Sequence, residues 1–431
     1  MDGKMQRARI AFLVIIISFS SCSVKYSSLI SLSESDEKVS FEKVGGDTAF
    51  ADNYLVWFEQ PINHDNPFEG TFKQRVWLSH KAVDAPLVFV TEGYSAPAIY
   101  QSELAALLES NQIVVEHRFY GASVPAEIPW QHLTIEQAAR DHHNIVEFFQ
   151  QYYKSAWIST GISKGGQTAM IHRAFYPSEI DLTLTYVAPY NLEREDERLV
   201  DFFDKVGTRE ERDYIKAFQI EVLKRRENML SYFSDWAEEN GVSFKMGIEQ
   251  AFELAVLEYP FSIRQWCVPI VPSSVSSASS RELFDQLYRG IDFRYFSTQE
   301  SIATAPYFYQ AYTQLGHYAY DASYLKQYLK YYNSDRVSSD ILAPRLAGPL
   351  IYSGEAIKSV TYRLQKSDPR MIHIVGEKDP WSATTPDISG LKNTMLISDP
   401  EGCHLTRINT LPEELRDKVL YLIEHLLNKR R

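Results

Sequence analysis

A serine flanked by glycines is the residue in this sequence best suited to nucleophilic chemistry. The segment Gly161-Ile162-Ser163-Lys164-Gly165 follows a strand-like stretch and precedes a helical one. Glycines allow such a turn to tighten until the serine adopts a strained conformation and its Oγ projects above the sheet edge. The backbone N–H of Lys164 could then donate to a developing oxyanion. The pattern predicts a nucleophile for acyl transfer, and an ordinary strand-to-helix turn is the alternative.

A nucleophile of this kind needs a carboxylate that orients its histidine, and the acid follows the serine in chain order. Asp379 lies on the loop after the strand-like residues 371–375. Pro380 and Trp381 would fix that loop and shield the carboxylate from water. Asp379 is therefore the predicted acid, and Glu377 on the same loop is the alternative.

The predicted base is His404. Only His404 and His425 follow Asp379 in the chain, and His425 falls inside the terminal amphipathic helix. His404 lies instead in a loop between the last strand and that helix, where it could reach over the sheet edge toward Ser163. Its imidazole would take the proton of Ser163 and later protonate the leaving group.

The elements that must position these residues alternate between strand and helix. Helical spacing of apolar residues runs through residues 135–149 and again through the C-terminal segment. Strand-like segments occupy residues 54–58, 71–79, 87–90, 113–115, 157–158, 182–187, 371–375 and 394–397. This alternation predicts an α/β fold with a mostly parallel sheet covered on both faces.

A long helical segment separates the serine from its partners. Ser163 and Asp379 are 216 positions apart, far more than one or two βα units require. We predict an α/β core formed by residues 45–190 and 345–431, with residues 191–344 inserted as a helical lid. An insertion at this point would lie over the strand ends and cap the active site.

The N-terminus has the features of an export signal. Three basic residues precede the apolar run 10–17, and Ser18, Phe19, Ser20 and Ser21 follow it up to Cys22. We predict a signal peptide over residues 1–21, lipidation of Cys22 and a flexible tether over residues 22–44. A plain secretory signal is the alternative to the lipid anchor. Either way the protein would be exported, and the anchor would hold it at the bacterial cell envelope.

Composition excludes several classes of protein. Hydrophobic residues make up 45% and charged residues 23%, as in a folded globular protein. A net charge of −12 argues against nucleic acid as a partner. Zinc-site, zincin and P-loop motifs do not occur, so we predict no metal and no cofactor. Of the three cysteines, Cys267 and Cys403 could pair in an oxidising compartment.

Four sequence blocks resemble the bacterial PS-10-type serine peptidases. These are secreted tripeptidyl aminopeptidases, distantly related to lysosomal prolyl carboxypeptidase and dipeptidyl peptidase II. The resemblance extends over residues 45–428 and includes the segments of Asp379 and His404. The four blocks are TGISKGGQTA at 160–169, VTEGY at 90–94, EHRFYG at 116–121 and QAYTQLG at 310–316.

The resemblance implies an α/β-hydrolase core with a helical lid and an exopeptidase that releases short peptides, tripeptides in particular, from free N-termini. The catalytic residues carried over are Ser163, Asp379 and His404. The second oxyanion donor would be the backbone N–H of Gly93 or Tyr94. Peptides are the implied partners, and contact with the membrane would be made only through the lipid anchor.

An aminopeptidase must bind a cationic amine, and a buried carboxylate does this best. Glu92 and Glu116 lie on the loops beside the predicted catalytic centre, and Glu253 and Glu258 lie in the insertion. We predict Glu92 and Glu116 as substrate-binding residues. For Glu92, bracing of the oxyanion loop is the alternative role.

Two other functions fit the same sequence. A carboxylic-ester hydrolase would use the same three residues. A non-catalytic surface lipoprotein could bind peptide or glycan through the abundant aromatic residues, which number 27 Tyr, 23 Phe and 7 Trp. Such residues more often pack cores than form glycan platforms. A peptidase therefore remains the preferred interpretation.

Overall fold

The computed structural model describes residues 28–46, 48–272, 274–345 and 348–428. The predicted signal peptide and Cys22 lie outside this range. The strands of the described residues are, in chain order, β1 (Val39–Val44), β2 (Asp52–Pro61), β3 (Thr71–His80), β4 (Leu87–Thr91), β5 (Asn111–Val115), β6 (Trp157–Ile162), β7 (Leu182–Tyr186), β8 (Ala319–Asp321), β9 (Arg336–Ser338), β10 (Met371–Gly376) and β11 (Thr394–Asp399).

The α-helices of the described residues follow the same chain order. They are α1 (Leu29–Ser33), α2 (Glu103–Leu107), α3 (Ile135–Gln150), α4 (Lys164–Phe175), α5 (Arg198–Lys205), α6 (Arg209–Lys224), α7 (Arg226–Glu239), α8 (Ile248–Gln265), α9 (Ser280–Gly290), α10 (Thr298–Ala303), α11 (Ala305–Gln310), α12 (Glu355–Ser367) and α13 (Glu413–Asn428). Within the described part of the chain, no helix is long and apolar enough to cross a bilayer.

Nine strands form one mixed sheet in the order β1-β2-β3-β5-β4-β6-β7-β10-β11. The first three strands are antiparallel, and the six from β5 to β11 in that order are parallel. Strands β4, β5, β7 and β10 are buried along their whole length, as expected for parallel strands covered on both faces. The sheet confirms the predicted α/β-hydrolase fold.

Each face of the sheet is covered by helices. On one face, apolar residues of the central strands pack with α2 and α13. On the other, Phe89 and Ile113 pack with Ile145 and Phe149 of α3. Helix α4 runs directly from the end of β6 and packs between α3 and α12. The two layers fix the strand ends in space, and these ends carry the predicted catalytic residues.

Helices α5 to α11 and the short hairpin of β8 and β9 lie between β7 and β10, and they have an apolar core of their own. That core includes Trp381, which follows β10, so the insertion packs against the loop of the predicted acid. Within the insertion, the charge-rich run 209–233 lies in α6 and α7, which meet at Arg225. Residues 324–332 contain only a short 3₁₀ turn.

The predicted tether is wrong over its described part. Residues Leu29–Ser33 form α1, and Val39–Val44 form β1, which pairs with β2 along its whole length. Leu29 and Leu32 are buried in the cluster under β1, β2 and α3. Their apolar side chains are withdrawn from water, which stabilises this segment as part of the core. The ordered domain thus begins before residue 45.

Candidate active site

Ser163 lies on a sharp turn between β6 and α4. Its backbone has φ 55° and ψ −126°, a conformation that a non-glycine residue rarely adopts. A Cβ at Gly161 would lie 2.3 Å from the carbonyl carbon of Gly165, and one at Gly165 would lie 2.6 Å from the carbonyl oxygen of Thr91. Both positions therefore require glycine, and the strand–turn–helix expected for a nucleophile elbow is present.

Asp379 follows β10 and caps the 3₁₀ turn Pro380–Thr384. Its Oδ1 accepts a hydrogen bond of 3.2 Å from the backbone N–H of Trp381, and the side chain is 1% exposed. Glu377, the alternative acid, is exposed and accepts a hydrogen bond from the Ser398 hydroxyl. The buried position of Asp379 suits a carboxylate that orients a histidine.

His404 is hydrogen-bonded to Asp379. Its Nδ1 lies 2.6 Å from Oδ2 of Asp379, and the ring is buried. A carboxylate only accepts, so Nδ1 carries the proton and Nε2 is left free to act as a base. The backbone N–H of His404 donates to the carbonyl of Gln265 at the end of α8, and Arg407 donates to the carbonyl of His404. The loop is therefore held on both sides.

A disulfide joins the histidine loop to the insertion. Cys403 is bonded to Cys267, 136 residues earlier, just after α8. The preceding residue, Trp266, packs edge-on against the His404 ring with ring centroids 5.6 Å apart. The sequence left this pairing open. In the structure it ties the predicted base to the part of the insertion nearest to it.

The three predicted catalytic residues follow strands whose carboxyl ends lie at one edge of the sheet. Ser163 follows β6, Asp379 follows β10 and His404 comes after β11, and these strands are parallel, with β7 between β6 and β10. A cavity of about 1140 Å³ opens at this edge and is lined by Ser163, Trp266 and Trp381. Functional sites of open α/β sheets lie at this edge.

The two parts of the chain share the walls of this cavity. The α/β core contributes residues such as Ser163, Lys164, Tyr94 and Tyr120, and the insertion contributes residues such as Glu258, Phe261, Tyr295, Tyr307 and Tyr318. A cavity of this size slightly exceeds the roughly 300–1,000 Å³ typical of ligand pockets. It is large enough to hold a short peptide.

The side chain of Lys164 is buried beside the serine. Its Nζ donates a hydrogen bond of 2.7 Å to the carbonyl of Gly93 and lies over the rings of Tyr94 and Tyr120. Burial lowers the pKa of this amine well below its usual value. In a trans peptide the C=O and N–H point in opposite directions, so the N–H of Tyr94 points away from the lysine. Lys164 thereby fixes the orientation of the Gly93–Tyr94 peptide.

Comparison with known proteins identifies the family of this chain. The family described as PS-10 peptidase S37 matches residues 39–418. The chain belongs to the PS-10 peptidase S37 family. Together with the curated relative described next, membership makes the protein a serine peptidase, which confirms the resemblance seen in the sequence.

Two curated relatives of this S37 peptidase carry peptidase names. The prolyl tri/tetrapeptidyl aminopeptidase of Streptomyces mobaraensis is 35% identical over 338 residues, which cover 76% of this chain and 70% of that protein. The prolyl carboxy peptidase like protein 5 of Caenorhabditis elegans is 28% identical over 167 residues, 35% of this chain and 33% of the worm protein.

Among solved structures, the proline iminopeptidase of Mycobacterium smegmatis is similar, with a TM-score of 0.45 and 15% identity; the match covers 86% of this chain and 99% of that one. VinJ has a TM-score of 0.41 and 11% identity over 86% of this chain and 98% of that one.

The predicted substrate-binding role of Glu116 in the S37 peptidase is wrong. Its carboxylate is fully buried and forms an ion pair with Arg75 on β3. The same carboxylate also accepts hydrogen bonds from the backbone of Ala96, Ala122 and Ser123 and from the Ser123 hydroxyl. With both oxygens occupied by protein donors, Glu116 braces the loops beside the active site and has no capacity for a substrate amine.

Glu92 is half-buried and also has a partner in the protein. Its carboxylate accepts a hydrogen bond of 2.6 Å from the Tyr100 hydroxyl, and it does not line the cavity that Ser163 lines. This arrangement favours the alternative role of bracing the oxyanion loop. Helix α2 begins only at Glu103, because residues 95–101 continue the loop that follows β4.

Sequence reasoning missed two residues that the structure brings to the cavity. The side chain of Lys164 was not expected to matter beyond its backbone N–H. Glu258 was noted only as one acid among several, yet it is 4% exposed and lines the cavity. An acid within the apolar stretch 254–263 of helix α8 was the available signal. Among the described residues, no group of three potential metal ligands is present.

Proposed function

We propose that this S37 peptidase releases short peptides, mainly tripeptides, from the free N-termini of peptide substrates. Ser163, His404 and Asp379 would act as nucleophile, base and orienting acid. The observation that carries the proposal is the buried His404–Asp379 hydrogen bond at the sheet edge where Ser163 adopts its strained conformation. The name of the Streptomyces relative, a prolyl tri/tetrapeptidyl aminopeptidase, supports a product of about this length.

Acylation begins when the free Nε2 of His404 takes the Ser163 proton. The Oγ bonds to the carbonyl carbon of the scissile peptide, and the electron pair of the carbonyl moves onto its oxygen. The buried carboxylate of Asp379 stabilises the imidazolium that forms. When the tetrahedral intermediate collapses, the C–N bond breaks and His404 gives its proton to the leaving amine. The released product is the C-terminal part of the substrate.

Deacylation repeats the same steps with water. His404 removes a proton from water, the hydroxide attacks the ester carbon, and the bond to Ser163 Oγ breaks as His404 returns the proton. The N-terminal peptide leaves with a free carboxylate. The aromatic walls of the cavity limit the amount of water near the ester. The insertion acts as a lid that admits the end of a chain and excludes folded proteins.

The developing oxyanion would be held by two backbone N–H groups, those of Lys164 and Tyr94. The first lies at the start of α4, where the helix dipole favours negative charge. We choose Tyr94 over Gly93 because the Lys164 side chain turns the Gly93 carbonyl away and leaves the Tyr94 N–H facing the opposite side. Lys164 would then be a positioning residue.

Replacing Lys164 by Met tests that role. Methionine keeps the volume of the side chain but cannot bond to Gly93, so the Tyr94 peptide becomes free to rotate. We expect kcat to fall about 10- to 100-fold with little change in KM, less than the loss of a whole oxyanion donor. Steady-state kinetics measure both values, and Lys358→Met on the exposed face of α12 is the control. If the melting temperature of the Lys164 variant also falls well below that of the wild-type protein, the lower kcat would point to a packing role.

Export and anchoring form a second part of the proposal. The Cys267–Cys403 disulfide supports export, because such bonds persist in oxidising compartments. The sequence of the first residues supports removal of residues 1–21 and lipidation of Cys22. Mass spectrometry of the mature N-terminus provides the test. A diacylglyceryl cysteine at its start supports the anchor, and an unmodified N-terminus at another residue argues for plain secretion.

The decisive experiment for the activity is product analysis on a mixed pool of peptides. Tripeptides should accumulate from the amino ends, and N-acetylated peptides of the same sequences should be cleaved far more slowly. Short acetyl esters are assayed in parallel, because an esterase would prefer them. A fluorophosphonate probe should label the wild-type protein and not Ser163→Ala. Internal cleavage, or ester hydrolysis without peptide release, would overturn the aminopeptidase assignment.

A further inference from the structure

Glu258 is a buried acid on the wall of the active-site cavity. It lies in the middle of α8, is 4% exposed and shares the cavity with Ser163. The hydroxyl of Tyr318 lies 2.9 and 2.8 Å from its two oxygens and shares its single proton between them. The carboxylate is thus oriented, but by neutral donors alone.

A second buried acid on the same helix, Glu253, has the kind of cationic partner that Glu258 lacks. Glu253 forms an ion pair with Arg226 and also accepts hydrogen bonds from the backbone N–H groups of Lys330 and Tyr331. For Glu258, no Lys, Arg or His among the described residues forms an ion pair. A buried carboxylate is costly unless a cation compensates it. The described residues thus give Glu258 no cationic partner, and a cationic ligand in the cavity would stabilise its charged form.

The surroundings of Glu258 suit an organic ammonium group. The same cavity is lined by aromatic side chains, among them Phe261, Tyr295, Tyr318 and Trp381. Phe261 stacks on Tyr318 with ring centroids 3.9 Å apart, and Trp381 packs edge-on against both. Aromatic faces attract ammonium groups, most strongly where water is excluded. A divalent metal would need several oxygen ligands, and the described residues offer no such cluster.

We propose that Glu258 binds the α-ammonium group of the peptide substrate. The inference rests on the proposed aminopeptidase function and adds the residue that recognises the free N-terminus. Since Glu258 and Ser163 lie on the walls of one cavity, a substrate whose amine is bound to Glu258 presents a peptide bond a fixed number of residues along to Ser163. The carboxylate would thereby determine both the requirement for a free amine and the length of the product.

Replacing Glu258 by Gln tests the proposal, because glutamine has nearly the same shape and no charge. For a tripeptide amide with a free amine, kcat/KM should fall about 100-fold, as expected when one partner of a buried charge pair is lost. For the N-acetylated form of the same substrate, kcat/KM should change by less than about threefold. The ratio of the two values separates amine recognition from a general loss of activity.

Glu300→Gln is the matched control. Glu300 lines the same cavity but is only partly buried, so its replacement removes the same charge from the rim. In this variant the ratio of kcat/KM for the free substrate to that for the acetylated one should stay near the wild-type value. If Glu258→Gln lowers kcat/KM equally for the free and the acetylated substrate, Glu258 is structural. This inference then fails while the aminopeptidase assignment stands. If the wild-type protein cleaves acetylated peptides as well as free ones, the proposed function fails first.

The pH dependence of the wild-type enzyme gives a test that needs no variant. Burial raises the pKa of Glu258 to about 7, and the titratable groups facing it are Tyr318, Tyr295 and, on β8, Tyr320. Below that pH the empty enzyme carries a neutral acid, so the preference for free over acetylated substrates should grow as pH rises toward about 7. It should decline again above about 8, where α-amino groups lose their proton. A preference that stays constant across this range contradicts the role of Glu258.

Discussion

Replacing Asp379 by Asn is expected to lower kcat about 10⁴-fold and to leave the fold intact. Oδ1 of Asp379 accepts the N–H of Trp381, and Oδ2 accepts Nδ1–H of His404. An asparagine would keep its oxygen toward Trp381 and therefore turn its NH₂ toward His404. The imidazole must then carry its proton on Nε2, where it cannot take the proton of Ser163.

Kinetic measurements on tripeptide amides, with melting curves alongside, check this expectation. Glu377→Gln is the matched control, because this exposed acid lies on the same loop and its carboxylate accepts a hydrogen bond from Ser398. Ser163→Ala should cost at least as much, and the double variant Ser163→Ala/Asp379→Asn should be hardly worse than Ser163→Ala alone, because the residues act as a unit. If the two substitutions lowered kcat by factors that multiply in the double variant, Asp379 would not act through the serine.

The second large effect is expected at the disulfide. Replacing both Cys267 and Cys403 by Ser removes a crosslink that closes a loop of 136 residues. The chain-entropy account predicts a loss of about 3 to 5 kcal/mol in the free energy of unfolding. Activity at moderate temperature should also fall, since Cys403 precedes His404 and its loop would be less firmly held. Urea unfolding and kcat of the double variant measure the two effects.

Single replacements serve as controls for this prediction. Cys267→Ser and Cys403→Ser each break the same bond, so both should resemble the double variant in unfolding free energy and kcat. Wild-type protein treated with a thiol reductant should approach the same values. Reduced protein that keeps its stability would show that the backbone bond from His404 to Gln265 holds the loop without help from the sulfurs.

Local patterns predicted the fold better than the site. Fully apolar strands and the glycine turn around Ser163 are properties of neighbouring residues, and the confirmed α/β-hydrolase fold follows from them. The assignments of Ser163, Asp379 and His404 remain predictions, although the His404–Asp379 hydrogen bond agrees with them. The early tether was predicted wrongly because the few apolar residues near Leu29 give too short a pattern to reveal a buried helix.

The errors at the substrate site have a different cause. Glu116 looked available because the sequence does not show that Arg75, 41 residues earlier, lies on the adjacent strand and pairs with it. Glu258 looked unremarkable because its position on the cavity wall depends on how the whole insertion packs over the sheet. Side chains whose roles depend on contacts between distant segments cannot be read from local periodicity.

The attachments of helix α8 limit how substrates can enter the cavity and how products can leave it. The helix carries Glu258 at its middle, bonds through its last carbonyl to the backbone of His404, and is crosslinked two residues further on to Cys403. It cannot swing away from the core without pulling the histidine with it. We therefore expect α8 to stay fixed in the wall of the cavity. Any opening through which substrates enter and products leave must then be formed by other parts of the insertion.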